Sequence, residues 1–196
     1  MTGGLHADAV ATLTSWHAPS PEQERLRELY LTVLAQRGDA MYRSSRPDHL
    51  TGSVLVFSAD HRQVLLTLHA KAGLWLQTGG HCEPSDTTLA GAALREGVEE
   101  SGIDDLAIDP VPVLLSRHAV PFCAPGGHHL DVQLVAVAPG GATAVRSEES
   151  ADLRWFDVAH LPANTDDDVR NLVSAGARRL REDHAPAPAA ETVYKS

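Results

Sequence analysis

Residues 79–103, GGHCEPSDTTLAGAALREGVEESGI, constrain this chain more than any other stretch. Paired glycines end one segment at 79–80, and Gly102 closes the next. The residues between them read as a turn running into a single helix. Asp86 is placed to cap that helix, which the pattern predicts from about Thr87 to Ser101. At about 100° per residue, Ala90, Leu94 and Val98 form one stripe, with Ala93 and Gly97 beside it. Glu96, Glu99 and Glu100 then fall on nearly the opposite side and share one volume. Like charges at these spacings cost only about 0.2–0.5 kcal/mol per pair. Such a face is therefore either solvated surface or a place where something cationic belongs.

The segments around this helix alternate in character. Residues 6–37 read as two helical pieces broken at APSP, with Ser20 as N-cap, Pro21 at the first helical position and Gly38 as a stop. The second piece carries Leu26, Leu29, Tyr30, Val33 and Leu34 on one stripe. Strand signals follow at 53–58 and 63–69 around the connection ADHR, and at 74–80. After the acidic helix come strands at 111–120, 130–138 and 151–158 and a helix at 166–183, acidic at its start and basic near its end. The tail 184–196 has a composition expected to remain disordered. This order predicts a mixed α/β sandwich. The expected domain plan is an N-terminal helical extension over 1–45, a catalytic domain over 46–183 and the tail.

The net charge of −10, with no Lys/Arg run, argues against nucleic-acid and anionic-membrane partners. It leaves a phosphorylated substrate open, because a divalent metal masks carboxylates locally. The two cysteines, Cys82 and Cys123, make a poor disulfide framework. No apolar run reaches the roughly 20 residues of a membrane span, and the N-terminus lacks the pattern of a secretory signal. These features predict a cytoplasmic protein.

The run Arg95-Glu96-Gly97-Val98-Glu99-Glu100-Ser101-Gly102, followed by Ile103 and preceded by Gly80 and Asp86, resembles the signature box of the Nudix hydrolase family. The resemblance covers about residues 50–162. Asp86 stands where Glu is usual, eight residues rather than seven separate it from Arg95, and Gly97 replaces an apolar residue. The resemblance implies a Nudix-like α/β/α sandwich with a mixed β-sheet, the N-terminal helices lying outside it. It further implies hydrolysis of a nucleoside diphosphate linked to another moiety, with Mg²⁺ or Mn²⁺ as cofactor. Glu96, Glu99 and Glu100 would be metal ligands, and one of them or a nearby acid the general base. By similarity Arg95 orients a box carboxylate and the Gly80 carbonyl joins the metal. The family often adds a carboxylate from a later loop; here Glu148 and Glu149 are either that acid or solubilising loop residues. The helical segment 6–37 covers the pocket or builds a homodimer contact.

Eleven histidines are many for this length. His49 lies just before the first strand, His81 follows the paired glycines, and His129 and Asp131 begin a later strand. This arrangement is similar to isopentenyl-diphosphate isomerase, which shares the Nudix fold. The similarity implies a second metal site at His49, His81, His129 and Asp131, with a transition metal such as Mn, Fe or Zn. The isomerase's reactive thiol falls at Gly79 here, and Cys82 is three residues later, so the proton chemistry lacks its acid. Two alternatives to the hydrolase remain at this level: an isomerase-type transition-metal enzyme and a non-catalytic nucleotide-binding module.

Overall fold

The period-two apolar segments assemble into a seven-stranded mixed sheet in a computed structural model that describes residues 4–120, 126–148 and 150–182. The strands are β1 (His49–Phe57), β2 (Gln63–His69), β3 (Trp75–Leu76), β4 (Thr78–His81), β5 (Ala107–Ala119), β6 (His128–Val137) and β7 (Ser150–Asp157). The path β3-β2-β1-β6-β5 forms the body, with β4 paired to β1 and β7 to β2. Only β1 and β6 run parallel among these pairs. Helices α1 (Leu5–Ser15), α2 (Pro21–Gln36), α3 (Leu89–Ser101) and α4 (Asp167–Glu182) cover the sheet.

Strand β1 is buried along its whole length, as a central strand with both faces covered must be. Its alternate residues serve two cores. Leu50, Val54 and Val56 pack with α1, α2 and α3, whereas Leu55 and Phe57 pack with Val169 and Leu172 of α4. Neither α1 nor α2 hangs free. Asp8 accepts a hydrogen bond from the Leu89 amide at the start of α3 (2.8 Å), and the Tyr30 hydroxyl donates to the Ser116 carbonyl (2.6 Å). Gln23 both donates to and accepts from the Leu115 backbone, so its amide extends β5 as a neighbouring strand would.

Ser20 and Pro21 open α2 as expected, with the Ser20 hydroxyl accepting from the Gln23 amide. Several local expectations are corrected. Arg37 rather than Gly38 ends α2, held in an extended conformation by guanidinium bonds to the Arg46 and Asp48 carbonyls. On the α2 stripe only Tyr30 and Leu34 are fully buried; Leu29 is 37% exposed. The strand expected at 74–80 divides at Gln77, because its first part pairs with β2 and its second with β1. Thr88, not Asp86, caps α3, which begins at Leu89. Gly102 does close it, in the left-handed conformation at φ 65. Cys123, Glu149 and the tail 184–196 lie outside the described residues. Among the described residues no helix is long and apolar enough to cross a membrane.

Candidate active site on helix α3 and strand β4

The buried face of α3 is Leu89, Ala92, Ala93, Gly97 and Ser101, rotated from the stripe that the larger apolar residues suggest. Ala90, Leu94 and Val98 are only half-buried flanks. Small residues explain the rotation, because they let the helix approach β1 closely. A Cβ added to Gly97 would meet Val54 Cγ1 at 2.6 Å, and one added to Gly52 would meet Ala93 at 3.4 Å. Glu100 then lies about 20° and Glu96 about 60° from the Ala93 direction. Both turn toward the sheet instead of away from it. Glu96 is 17% exposed and Glu99 59%, so Glu99 stands at the rim. The Oε2 of Glu100 is enclosed by protein.

Strand β4 brings Gly80 beneath these acids. A Cβ there would lie 2.6 Å from the Glu96 carboxylate, so only glycine lets the strand pass so close. Gly79, at φ 155, is equally constrained: its Cβ would meet the Ser53 Cα at 2.6 Å. Arg95 ties the assembly together with every N–H engaged. It makes a bidentate pair with Asp86 (3.2 and 3.1 Å) and donates to the His81 carbonyl (2.9 Å). It also donates to Glu96 (3.1 Å) and Glu99 (3.2 Å). The bonds to Asp86 and the nearby Glu96 raise the guanidinium pKa further, against the effect of burial. Asp86 also accepts from the Glu83 amide (2.7 Å), which fixes the turn between β4 and α3. Its role is to hold Arg95, not to cap the helix. The nine-residue separation of an acid from an arginine did not reveal this, because the intervening turn sets their distance. Glu148 is exposed.

On the opposite face of the sheet the register collects histidines. His49, the first residue of β1, is paired with His129 of β6, and His81 sits opposite Thr51. Ring centroids are 5.2 Å apart for His49–His81, 4.9 Å for His49–His129 and 5.0 Å for His81–His129. His118 joins at 5.4 Å from His129, a neighbour that only the β5–β6 register reveals. Asp131 lies on the same face but is engaged elsewhere. Its oxygens accept from Thr51 (2.8 Å) and Ser53 (2.6 Å), and burial raises its pKa against those bonds. Burial, with the neighbouring imidazoles and Arg43, lowers His81 to about 4 and His129 to about 3. Burial and the Arg46 charge likewise lower His49. Cys82 is buried in the apolar cluster, and that burial pushes its thiol up to about 12.

The lowered histidines give the metal-free protein a pH-dependent stability. The unfolded chain takes up protons from about pH 6.5 downward, while folded His81 and His129 resist until far lower pH. Their contribution is complete above about pH 6.5 and is lost as pH falls toward about 4. Urea midpoints measured in chelator should be flat from pH 7 to 8 and fall between pH 6.5 and 5. His129→Gln should flatten that fall; an unchanged slope would contradict it.

A family model described as NUDIX domain matches residues 47–175. A NUDIX-family hydrolase from Clostridium perfringens is 23% identical with a TM-score of 0.57, covering 67% of this chain and 97% of that one. A C. elegans Ap4A hydrolase, solved as a binary complex, is 16% identical with a TM-score of 0.59, covering 68% and 98%. The NUDIX domain of Shewanella oneidensis NrtR, solved with ADP ribose, is 20% identical with a TM-score of 0.54, covering 70% and 92%. These structures share the fold. No curated protein matches the chain.

Proposed function

The chain belongs to the NUDIX domain family and is a Nudix hydrolase; from that premise we propose that it is a Mg²⁺- or Mn²⁺-dependent pyrophosphohydrolase acting on a nucleoside diphosphate linked to another moiety. The observation that carries this reading is the seating of the Glu96 carboxylate directly over Gly80, with Glu100 turned to the same side of α3. The donors available there are carboxylates and a backbone carbonyl, an all-oxygen set that suits a hard divalent cation. Glu96, Glu99, Glu100 and the Gly80 carbonyl would hold the ion. When bound, it neutralises diphosphate charge and lowers the pKa of the attacking water.

The chain's own residues supply position. Arg95, itself fixed by Asp86, holds the Glu96 and Glu99 carboxylates at one edge of β4. A box carboxylate or a nearby acid accepts the proton from water. Glu149 is the further acid proposed from the sequence for this role. The C. elegans and Shewanella structures, named for Ap4A hydrolysis and for bound ADP ribose, support a nucleotide derivative as substrate class. An isomerase reading loses support at Cys82, whose thiol is buried and held protonated.

The test is incubation of purified protein with NTPs, ADP-ribose, nucleotide sugars and dinucleoside polyphosphates. Turnover of at least one with Mg²⁺ or Mn²⁺, abolished by EDTA and restored by excess metal, is expected. Turnover that persists unchanged in EDTA, or none on any substrate with either ion, would contradict it.

A further inference from the structure

We propose that His49, His81 and His129 form a transition-metal site on the sheet face opposite α3, and that an ion held there clamps β4, the strand whose other face carries Gly80 to Glu96. The site stands on its own geometry; only its relevance to hydrolysis rests on the reading of α3 given above.

Three strands supply one imidazole each, all on one face by strand alternation. One ligand nitrogen from each lies within 4.8 Å of the other two. Tetrahedral bonds of about 2.0–2.1 Å place ligand nitrogens roughly 3.4 Å apart, so small side-chain rotations close the set. Among the described residues, the Nε2 of His129 is buried with no hydrogen-bond partner. Such an atom is costly in a folded protein unless something meets its lone pair. Asp131, whose oxygens accept from Thr51 and Ser53, is not among the side chains whose ligand atoms converge there, so the converging donors are all nitrogen. Three imidazoles without a carboxylate favour Zn, Co, Ni or Cu over Mg or Ca, and they leave a position for a non-protein ligand. Arg43 opposes positive charge here, but it is exposed and its field is screened.

The clamp follows from β4 being four residues long. His81 sends its imidazole to the histidine face, while its carbonyl accepts from Arg95, which holds Glu96 and Glu99. Gly80, one residue earlier, faces Glu96. Fixing the His81 side chain to β1 and β6 therefore restrains the backbone on which the acidic site is built.

The experiment is Co²⁺ titration of chelator-stripped protein, read by the visible absorption of the nitrogen-ligated ion. One nitrogen-ligated Co²⁺ per chain is expected, bound at least ~100-fold more weakly in His129→Ala and in the milder His81→Asn. Glu100→Gln should bind within about twofold of wild type, since it lies across the sheet. No nitrogen-ligated signal in wild type, or a signal that survives both histidine variants, overturns the site. Amide exchange reads the clamp: Zn²⁺ loading should slow exchange across Thr78–His81 about tenfold, and unchanged exchange overturns it. Both readouts are independent of turnover, so a failure of the hydrolase reading appears separately, as inactivity on the nucleotide panel.

Discussion

Glu96→Gln and Glu100→Gln are each expected to lower metal-dependent turnover by at least ~100-fold while leaving the fold intact. The substitution keeps shape and removes charge, so it isolates the carboxylate. Glu96 and Glu100 lie on the side of α3 that packs against the sheet. Glu96 also sits over Gly80 and is held by Arg95. Glu99, at 59% exposure, is bound to Arg95 from the rim. Glu99→Gln is expected to fall in the same direction and by no more than the other two. Steady-state rates at saturating Mg²⁺, with thermal midpoints as the control for folding, measure this. Wild-type rates in the Glu96 and Glu100 variants would remove the acidic face from the chemistry.

Gly97→Ala is expected to destabilise the protein, although a helix interior ordinarily gains from this change. Propensity favours Ala by about 0.8–1.0 kcal/mol. Against it, the new Cβ would lie 2.6 Å from Val54 Cγ1 in a fully buried strand. Overpacking of this kind typically costs about 1–3 kcal/mol, and Val54 has no flexible end to move aside. The clash outweighs the propensity gain, for a net loss of up to about 2 kcal/mol. Val54→Ala removes the atom in the way, so the double variant should show a favourable coupling of about 1 kcal/mol or more. Urea denaturation of the four proteins closes the cycle. A Gly97→Ala protein about 1 kcal/mol more stable than wild type, as propensity alone requires, would contradict the close packing of α3 on β1.

Gly97 also marks where the sequence could and could not be read. The succession of helices and strands along the chain, the capping of α2 by Ser20 and the stop at Gly102 were legible because each depends on neighbours within a few residues. The facing of α3 was not, because the helix packs through Ala93 and Gly97, whose smallness carries no hydrophobic signal, while Leu94 and Val98 dominate the periodicity. Asp86 illustrates the same limit: its chemistry suits a cap, and only the turn after β4 brings it to Arg95. The meeting of His49, His81 and His129 depends on strand register, a long-range property, and was legible only through the resemblance to the isomerase. Asp131 is not part of that group; its oxygens accept from the hydroxyls of Thr51 and Ser53, residues unremarkable in sequence.

The central claim is that the Glu96–Glu100 face of α3 grips a divalent ion against β4. Anomalous diffraction from crystals soaked in Mn²⁺ locates that ion directly. The account predicts a peak between the Gly80 backbone and the carboxylates of Glu96 and Glu100. Saturating Mn²⁺ with no peak there, and those carboxylates turned into solvent, would contradict it.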